Sequence, residues 1–181
     1  TLVCASENED AAKTVQGWFH RPTLRMYTST DVLGVELGGA LKNIMAIAAG
    51  VCDGLQLGDN AKAALITRGL NEMRRLGSAA GALPETFSGL SGMGDLTVTC
   101  FSQQSRNRTL GERIARGESL ETVLASATAE GYPTARSAKA LAARLNVPTP
   151  IIDEVYAMLY ETKDVHQSVN DLLTRNPRPE A

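Results

Sequence analysis

The stretch GVELGGALKNIMAIAAG, residues 34–50, constrains the fold of this chain most, because it predicts one long apolar helix. A lysine, Lys42, stands in the middle of that helix. On a helix the side chains three and four positions away share its face, and here they belong to two glycines, a methionine and an alanine. The ammonium therefore has no ion-pair partner within the helix. Two interpretations remain open: Lys42 reaches solvent along the helix surface, or it takes part in chemistry.

The composition narrows the classes of protein and partner. The chain has 181 residues, of which 43% are hydrophobic and 21% charged, values ordinary for a soluble globular protein. A net charge of −2 gives no basic patch for nucleic acid or an anionic membrane surface, so neither is expected as a partner. Aromatic residues make up only 4%, while Ala, Leu and Gly dominate. This composition favours close-packed helices over a β-sandwich.

The cysteines indicate the redox setting. Three cysteines and two histidines are present, the cysteines lie far apart, and no CxxC motif occurs. We therefore expect no metal site and a reducing, cytoplasmic setting. No run reaches the ~18 consecutive apolar residues of a membrane helix and no signal peptide opens the chain, so we expect no membrane insertion.

The pattern of predicted elements changes near residue 31. Residues 2–5 and 23–29 predict strands, and the segment between them predicts a helix capped by Ser6. Strand, helix and strand in this order form a βαβ unit, which we interpret as the end of a larger α/β domain. From Asp31, which we expect to cap the long apolar helix, the pattern predicts helices only.

Caps and breakers divide the helical part. Asn60 is expected to cap a helix that ends at Gly77, and Pro84 fits the first turn of a short helix. Either Ser102 or Ser105 begins a further helix. The residues AEGYP, 129–133, predict a break before the last helices.

The glycine-rich segment GLSGMGDLTVTC, residues 89–100, superficially resembles a phosphate-binding loop. Its glycines follow the order GxxGxG after a predicted helix, so it does not meet the dinucleotide-binding fingerprint. Asp95 has two interpretations: a turn or capping aspartate, or a carboxylate held rigidly beside a cleft.

The segment SQQSRNRTLGERIARG, residues 102–117, places Ser105, Arg106, Asn107 and Arg108 at a predicted helix start. Arginines oppose the helix dipole there, and a bound phosphate would relieve this mismatch. The alternative is a solvated basic turn paired with Glu112. Together with Lys42 and Asp95, the segment suggests an anionic substrate that carries an oxygen to be protonated, because a buried lysine can exchange a proton near neutrality.

Longer motifs carry a family resemblance. The segments GVELGGALKNIMAIAAGVCDGLQLGDNAKAALITRGLNEM and SGMGDLTVTCFSQQSRNRTLG, with AEGYPTA and VPTPIIDEVYAMLY, closely resemble the bacterial-type NAD(P)-dependent glycerol-3-phosphate dehydrogenases over about residues 28–161. The resemblance implies a mainly α fold, a multi-helical C-terminal domain of the 6-phosphogluconate dehydrogenase C-terminal-like type, behind a βαβ remnant of a Rossmann domain. Residues 1–31 would end the Rossmann domain, whose rest is absent here. Residues 32–175 would form the substrate-binding domain, and residues 176–181 a disordered tail.

The resemblance also implies an activity. Members of the family interconvert dihydroxyacetone phosphate and sn-glycerol 3-phosphate by hydride transfer, a reaction that feeds glycerophospholipid synthesis. The cofactor would be NAD or NADP, with its main binding loop outside this chain, so we expect the isolated chain to be inactive. A homodimer remains open as its assembly.

The motif match assigns roles to individual residues. Lys42 would be the general acid–base. The implied substrate-binding residues are Lys42, Asp95, Thr99, Ser105, Arg106 and Asn107. The implied cofactor-binding residues are Arg106, Glu130 and Thr128, where relatives often have valine at the last of these positions. Asn43 is a weaker candidate for hydrogen bonding within the site.

Other functions remain alternatives at this point. The same helical domain occurs in other phosphosugar or hydroxyacid dehydrogenases. The isolated chain could instead be a non-catalytic helical module for phosphate binding or dimerisation. A Schiff-base lysine is a third idea, although nothing here resembles an aldolase barrel.

Overall fold

The computed structural model describes residues 1–176, so the expected tail, residues 176–181, lies outside the described residues except for Asn176. The elements are β1 (Leu2–Ala5), α1 (Glu9–Phe19), β2 (Met26–Ser29), α2 (Val32–Gly54), α3 (Asp59–Ala80), α4 (Pro84–Ser88), a π-helical turn (Leu90–Gly94), α5 (Asp95–Phe101), α6 (Arg106–Ala115), α7 (Leu120–Ser126), α8 (Gly131–Leu145), α9 (Pro150–Tyr160) and α10 (Val165–Leu173). The prediction of a mainly helical chain behind a βαβ unit is confirmed.

The βαβ unit is small and closely tied together. Strands β1 and β2 run parallel and pair along all four residues of each strand. Helix α1 is capped by Asn8, whose side-chain oxygen accepts two backbone N–H groups, so the expectation of Ser6 as the cap is wrong. Ser6 instead accepts the backbone N–H of Asn8 at 3.2 Å. The Gln16 amide of α1 donates to the carbonyl of Met26 at 2.8 Å and fixes the helix against β2.

Asp31 joins the βαβ unit to the helices. Its carboxylate accepts the N–H of Gly34 at 2.9 Å, which confirms it as the cap of α2. The same carboxylate accepts the N–H of Leu83 at 3.0 Å and the hydroxyl proton of Thr86. One side chain therefore caps α2 and holds the start of α4 against it.

Helix α2 is the centre of the helical part, and α6 crosses it at very close range. Gly50 of α2 and Gly111 of α6 lie at the crossing. A Cβ atom on Gly50 would lie 1.9 Å from the carbonyl oxygen of Arg108, and one on Gly111 would lie 1.9 Å from that of Ile47. Only glycine permits this approach, so the two backbones pack directly against each other.

The length and composition of α2 also meet the criterion for a membrane-crossing helix, with a mean hydropathy of 1.4 over its most apolar window. However, 56% of the window is buried within the fold, and the core helix of a folded domain meets the same criterion. The central position of α2 explains its apolar character.

A buried ion cluster connects α2, α3 and α6. Asp53 at the end of α2 contacts the ammonium of Lys62 and the guanidinium of Arg108. Lys62 is 6% exposed, and its Nζ also lies 5.1 Å from the centre of the Phe101 ring. One carboxylate therefore neutralises two cations that sit largely out of water.

Glu72 joins α3 to the start of α9. It is 2% exposed, and its two carboxylate oxygens accept the N–H groups of Ile151 at 3.0 Å and Ile152 at 2.9 Å. Burial raises the pKa of Glu72 from its ordinary 4.5 to about 7, against the opposing effect of these hydrogen bonds.

Two predicted helix boundaries are wrong. Helix α3 starts after Gly58 and continues past Gly77 to Ala80, because Gly77 is a packing position: a Cβ there would lie 2.1 Å from Phe87 Cζ. The predicted break at AEGYP, residues 129–133, is right only in part: residues 127–130 separate α7 from α8, but α8 already begins at Gly131. Its first turn contains Pro133, where a missing N–H leaves no helical hydrogen bond unmade.

The close crossing of α2 and α6 makes Gly111 intolerant of a side chain. We expect Gly111→Ala to lower the free energy of unfolding by about 3 kcal/mol or more, because the added methyl must push two backbones apart. Gly17→Ala is the matched control: it lies in exposed helix α1, its added Cβ meets nothing within 4 Å, and it should raise stability slightly. Urea denaturation measures both. Equal effects of the two substitutions would contradict the backbone contact.

The buried carboxyl of Glu72 predicts a pH dependence of stability. Between its unfolded pKa of 4.5 and its folded pKa of about 7, the folded state holds a proton that the unfolded chain releases. The free energy of unfolding should therefore fall as pH rises through this range, by up to about 3 kcal/mol. Glu72→Gln should remove this part of the slope and also lower stability at low pH, since the amide nitrogen cannot accept a backbone N–H. An unchanged slope in the variant would exclude Glu72 as its source.

Candidate active site

The ammonium of Lys42 finds its partner across the fold. Its Nζ contacts the Oδ2 carboxylate oxygen of Asp95, which lies 53 positions along the chain on α5. The Lys42 side chain is 20% exposed and that of Asp95 37%. Lys42 is thus neither free in solvent nor fully buried: it is an ion-paired lysine at the surface of the helical core.

The π-helical turn places Asp95 opposite Lys42. Gly38 on α2 allows this turn to lie on the helix, since a Cβ at Gly38 would come 2.5 Å from the carbonyl oxygen of Ser91. The turn leads directly into α5, whose first residue is Asp95. Asp95 accepts no capping hydrogen bond from its own helix. The interpretation of Asp95 as an N-cap is therefore wrong, and its carboxylate is used for Lys42.

Thr99 lies one helical turn after Asp95. Its hydroxyl donates to the backbone carbonyl of Asp95 at 2.6 Å, and the side chain is half-buried. The hydroxyl proton of Thr99 is therefore used in a hydrogen bond within α5, while its oxygen can still accept a hydrogen bond from another group.

The start of α6 separates the residues of the Ser-Arg-Asn-Arg segment. Ser105, and not Ser102, caps this helix by accepting the N–H of Arg108 at 3.3 Å. The guanidinium of Arg108 turns inward to Asp53, whereas Arg106 is exposed. The structure therefore presents only one of the two arginines to solvent at this helix start.

Asn107 and Asn43 form a buried amide pair. Asn107 Nδ2 donates to Asn43 Oδ1 at 2.9 Å, and Asn107 Oδ1 accepts the N–H of Gly131 at 2.8 Å. Asn43 Nδ2 in turn donates to the carbonyl of Gly39 at 3.3 Å. The exposed fractions of the two asparagines are only 7% and 8%. This connected set, which we call the asparagine relay, links α2, α6 and the start of α8.

Thr128 and Glu130 lie in the segment between α7 and α8, and both are exposed. They border an open cleft of about 570 Å³, which Gly39 and Asn43 of α2 also line. A Cβ at Gly39 would meet nothing within 4 Å, so this glycine faces open space, unlike Gly38. The cleft brings two of the three residues implied for the cofactor, Thr128 and Glu130, to the helix that carries Lys42, whereas Arg106 does not line it.

Sequence reasoning gave Asn43 little weight and missed Gly131 entirely. The signal for Asn43 was its amide directly after Lys42 in an apolar helix. A buried amide needs hydrogen-bond partners, so this position indicates a contact with another element. A second cleft of about 520 Å³ lies elsewhere, between α3, α9 and α10, and neither Lys42 nor Asp95 lines it. It is therefore separate from the candidate site.

The arrangement is suited to proton transfer. A lysine ammonium that touches a carboxylate is held at one place and can still reach a substrate oxygen from its exposed side. Within residues 1–176, no three His, Cys, Asp or Glu side chains cluster in a way that would hold a metal ion.

Comparison with known proteins identifies the family. The family model described as the C-terminus of NAD-dependent glycerol-3-phosphate dehydrogenase matches residues 31–170. The chain belongs to this family. The match covers the helical elements from α2 into α10, and therefore every residue of the candidate site.

Relatives with this name are similar over nearly the whole chain. The glycerol-3-phosphate dehydrogenase (NAD(P)+) of Prosthecochloris aestuarii is 53% identical over 182 residues, which cover 99% of this chain and 55% of that protein. The one from Desulfotalea psychrophila is 54% identical over 173 residues, with coverages of 94% and 51%. The chain spans about half the length of the curated relatives it matches.

A solved structure has the same fold. The crystal structure of glycerol-3-phosphate dehydrogenase from Coxiella burnetii superposes with a TM-score of 0.93 at 42% identity, covering 97% of this chain and 55% of that one. The yeast enzyme aligns with a TM-score of 0.78 at 27% identity, with coverages of 87% and 47%.

The two ion pairs of α2 should respond differently to removal of their carboxylate. Asp95→Asn breaks a partly exposed pair, so we expect the free energy of unfolding to change by less than about 1 kcal/mol. Asp53→Asn leaves the largely buried Lys62 without its carboxylate and Arg108 with only Glu112, at 3.5 Å, so it should cost about 3 kcal/mol or more. Chemical denaturation of both variants tests this. A loss at Asp95 as large as that at Asp53 would mean that the Lys42–Asp95 pair serves mainly to stabilise the fold.

Proposed function

We propose that the full-length protein interconverts dihydroxyacetone phosphate and sn-glycerol 3-phosphate, as a glycerol-3-phosphate dehydrogenase that uses NAD or NADP. The observation that carries this proposal is the Lys42–Asp95 pair, placed by a tertiary contact at a partly exposed position in a chain of this family. The names of the relatives support the reaction and the cofactor class.

Lys42 acts as the general acid–base. A nicotinamide cofactor, when bound, would supply or accept the hydride at the substrate C2 carbon. During reduction the Lys42 ammonium donates its proton to the C2 oxygen, so that the carbonyl becomes a hydroxyl. During oxidation the neutral amine removes that proton. Asp95 holds Nζ in place, and the exposed edge of Lys42 lets solvent restore its protonation state.

The start of α6 binds the substrate phosphate. Arg106 is exposed there, and its guanidinium matches phosphate oxygens bidentately. Ser105 accepts the capping N–H and keeps its own hydroxyl proton as a donor. Asn107 has one N–H left beyond its two observed hydrogen bonds, and Thr99 can offer only an acceptor. Arg106 and Ser105 are therefore the main phosphate ligands in this proposal.

Residues Thr128 and Glu130, together with Arg106, would contact the cofactor. The exposed side chains of Thr128 and Glu130 line the same cleft as Gly39, which has no side chain to fill it. A cleft of this kind fits a planar group with polar edges. The main binding loop would belong to a Rossmann domain to which residues 1–31 contribute the last βαβ unit, with residues 32–175 as the substrate domain.

The cellular setting is part of the same proposal. We assign the enzyme to the cytoplasm, where the three free cysteines of this chain stay reduced, and a homodimer is its proposed assembly.

Loss of Lys42 tests the proposed chemistry. In the full-length enzyme, Lys42→Ala should lower kcat for dihydroxyacetone phosphate reduction by at least about a hundredfold, because general acid catalysis contributes about that much or more. Lys139→Ala is the matched control, since Lys139 also pairs with an aspartate, Asp153, and lies at the surface. NADH or NADPH oxidation measures both. Near-parental kcat in Lys42→Ala would remove the assigned role, and turnover of a hydroxyacid without dihydroxyacetone phosphate would overturn the substrate.

The isolated chain provides a further test. The 181 residues alone should oxidise neither NADH nor NADPH in the presence of dihydroxyacetone phosphate, since the proposed dinucleotide loop lies outside them. Robust cofactor oxidation by the isolated chain would contradict the proposal that the dinucleotide-binding loop lies outside these residues.

A further inference from the structure

The asparagine relay has a defined direction. It begins at a backbone N–H, that of Gly131, and ends at a backbone carbonyl, that of Gly39. A backbone N–H can only donate and a carbonyl can only accept, so both amides between them have one compatible orientation. If either amide turned over, two donors or two acceptors would face each other in a buried position, which is costly.

Three members of the relay are each adjacent in sequence to a residue of the proposed site. Asn43 follows Lys42, Asn107 follows Arg106, and Gly131 follows Glu130. These pairs belong to three different elements, α2, α6 and α8, which the chain brings together from far apart. A shift in the relay would therefore be passed directly to the backbone of a proposed site residue.

The relay is most important at the start of α8. Helices α2 and α6 are already held together by the backbone contacts of Gly50 and Gly111. By contrast, Glu130 gives α8 no side-chain cap, and residues 127–129 before it have no regular secondary structure. Asn107 supplies the missing acceptor, so α8 is capped from another helix.

The contact distances support this role. A Cβ on Gly131 would lie 2.7 Å from the carbonyl oxygen of Asn43 and 3.0 Å from Asn107 Oδ1. The first residue of α8 thus sits directly on the two asparagines. This contact leaves little room for the segment that carries Glu130 to move.

We propose that Asn43 is a positioning residue, which acts through Asn107 and Gly131 to set the place of Glu130 and Thr128 in the cleft beside α2. The buried Asn43 side chain does so without touching substrate. The catalytic consequence rests on the proposed function, whereas the structural consequence, a fixed start of α8, does not.

Kinetics of the full-length enzyme test the catalytic consequence. Asn43→Ala should raise KM for NADH or NADPH by about tenfold, with a smaller change in kcat, because the displaced segment is the one proposed to contact the cofactor. Asn107→Ala should raise KM at least as much, and KM of the double variant should be within about twofold of that of Asn107→Ala, since both substitutions break one relay.

Glu72→Gln is the control: it breaks a buried link between α3 and α9, away from the site, and should leave KM and kcat unchanged. KM values of Asn43→Ala within twofold of the parent, or effects that multiply in the double variant, would overturn the proposal.

Hydrogen exchange tests the structural consequence independently of activity. The Gly131 amide should be protected in the parent enzyme, although first-turn amides of a helix usually lack an acceptor. Exchange at this amide should become at least about tenfold faster in Asn43→Ala and unchanged in Glu72→Gln. Rapid exchange of Gly131 in the parent would overturn the relay even if neither asparagine variant folds. If the parent fails to reduce dihydroxyacetone phosphate while Gly131 is protected, the proposed function fails and the fixed start of α8 stands.

Discussion

The structure depends on the direct contact between the backbones of α2 and α6. Gly50 and Gly111 remove the side chains that would normally separate two helices, and each faces a carbonyl oxygen of the other. This distance determines which groups can meet across the interface. The Asp53–Arg108 ion pair and the amide bond between Asn43 and Asn107 both cross the same pair of helices and require that closeness. The apolar character of α2 follows from its place at the centre of this packing.

Polar groups in this fold divide into two kinds by their burial. Glu72 is buried and binds backbone N–H groups, whereas Asp53 is 19% exposed but pairs with the less exposed Lys62 and Arg108. Removal of either carboxylate affects groups that water hardly reaches. Lys42 and Asp95 meet at the edge of the core, where an ion pair contributes little to stability. At this partly exposed position the lysine stays within reach of solvent and of a ligand.

Much of the fold followed from local rules. Asp31 and Ser105 cap helices because their short side chains reach free N–H groups within the next turn. The errors have a common cause. Gly77 was expected to end a helix because glycine often does, yet here it makes room for Phe87. Likewise, α8 begins inside AEGYP, at Gly131, because the N–H of that residue is accepted by Asn107 on another helix.

The sequence by itself determined the helical class, most helix boundaries, and the presence of a lysine without a neighbouring carboxylate in an apolar helix. It also contained long motifs that identify the family, since they extend through the residues of the candidate site. Only the tertiary structure decided that Lys42 pairs with Asp95, that Arg108 turns inward while Arg106 faces solvent, and that two asparagines hold the start of α8. Spacing along a helix predicts neighbours one turn away, whereas these contacts join residues 24 to 64 positions apart. They exist because glycines at the crossings let the backbones approach, and no local pattern records which partner will fill that space.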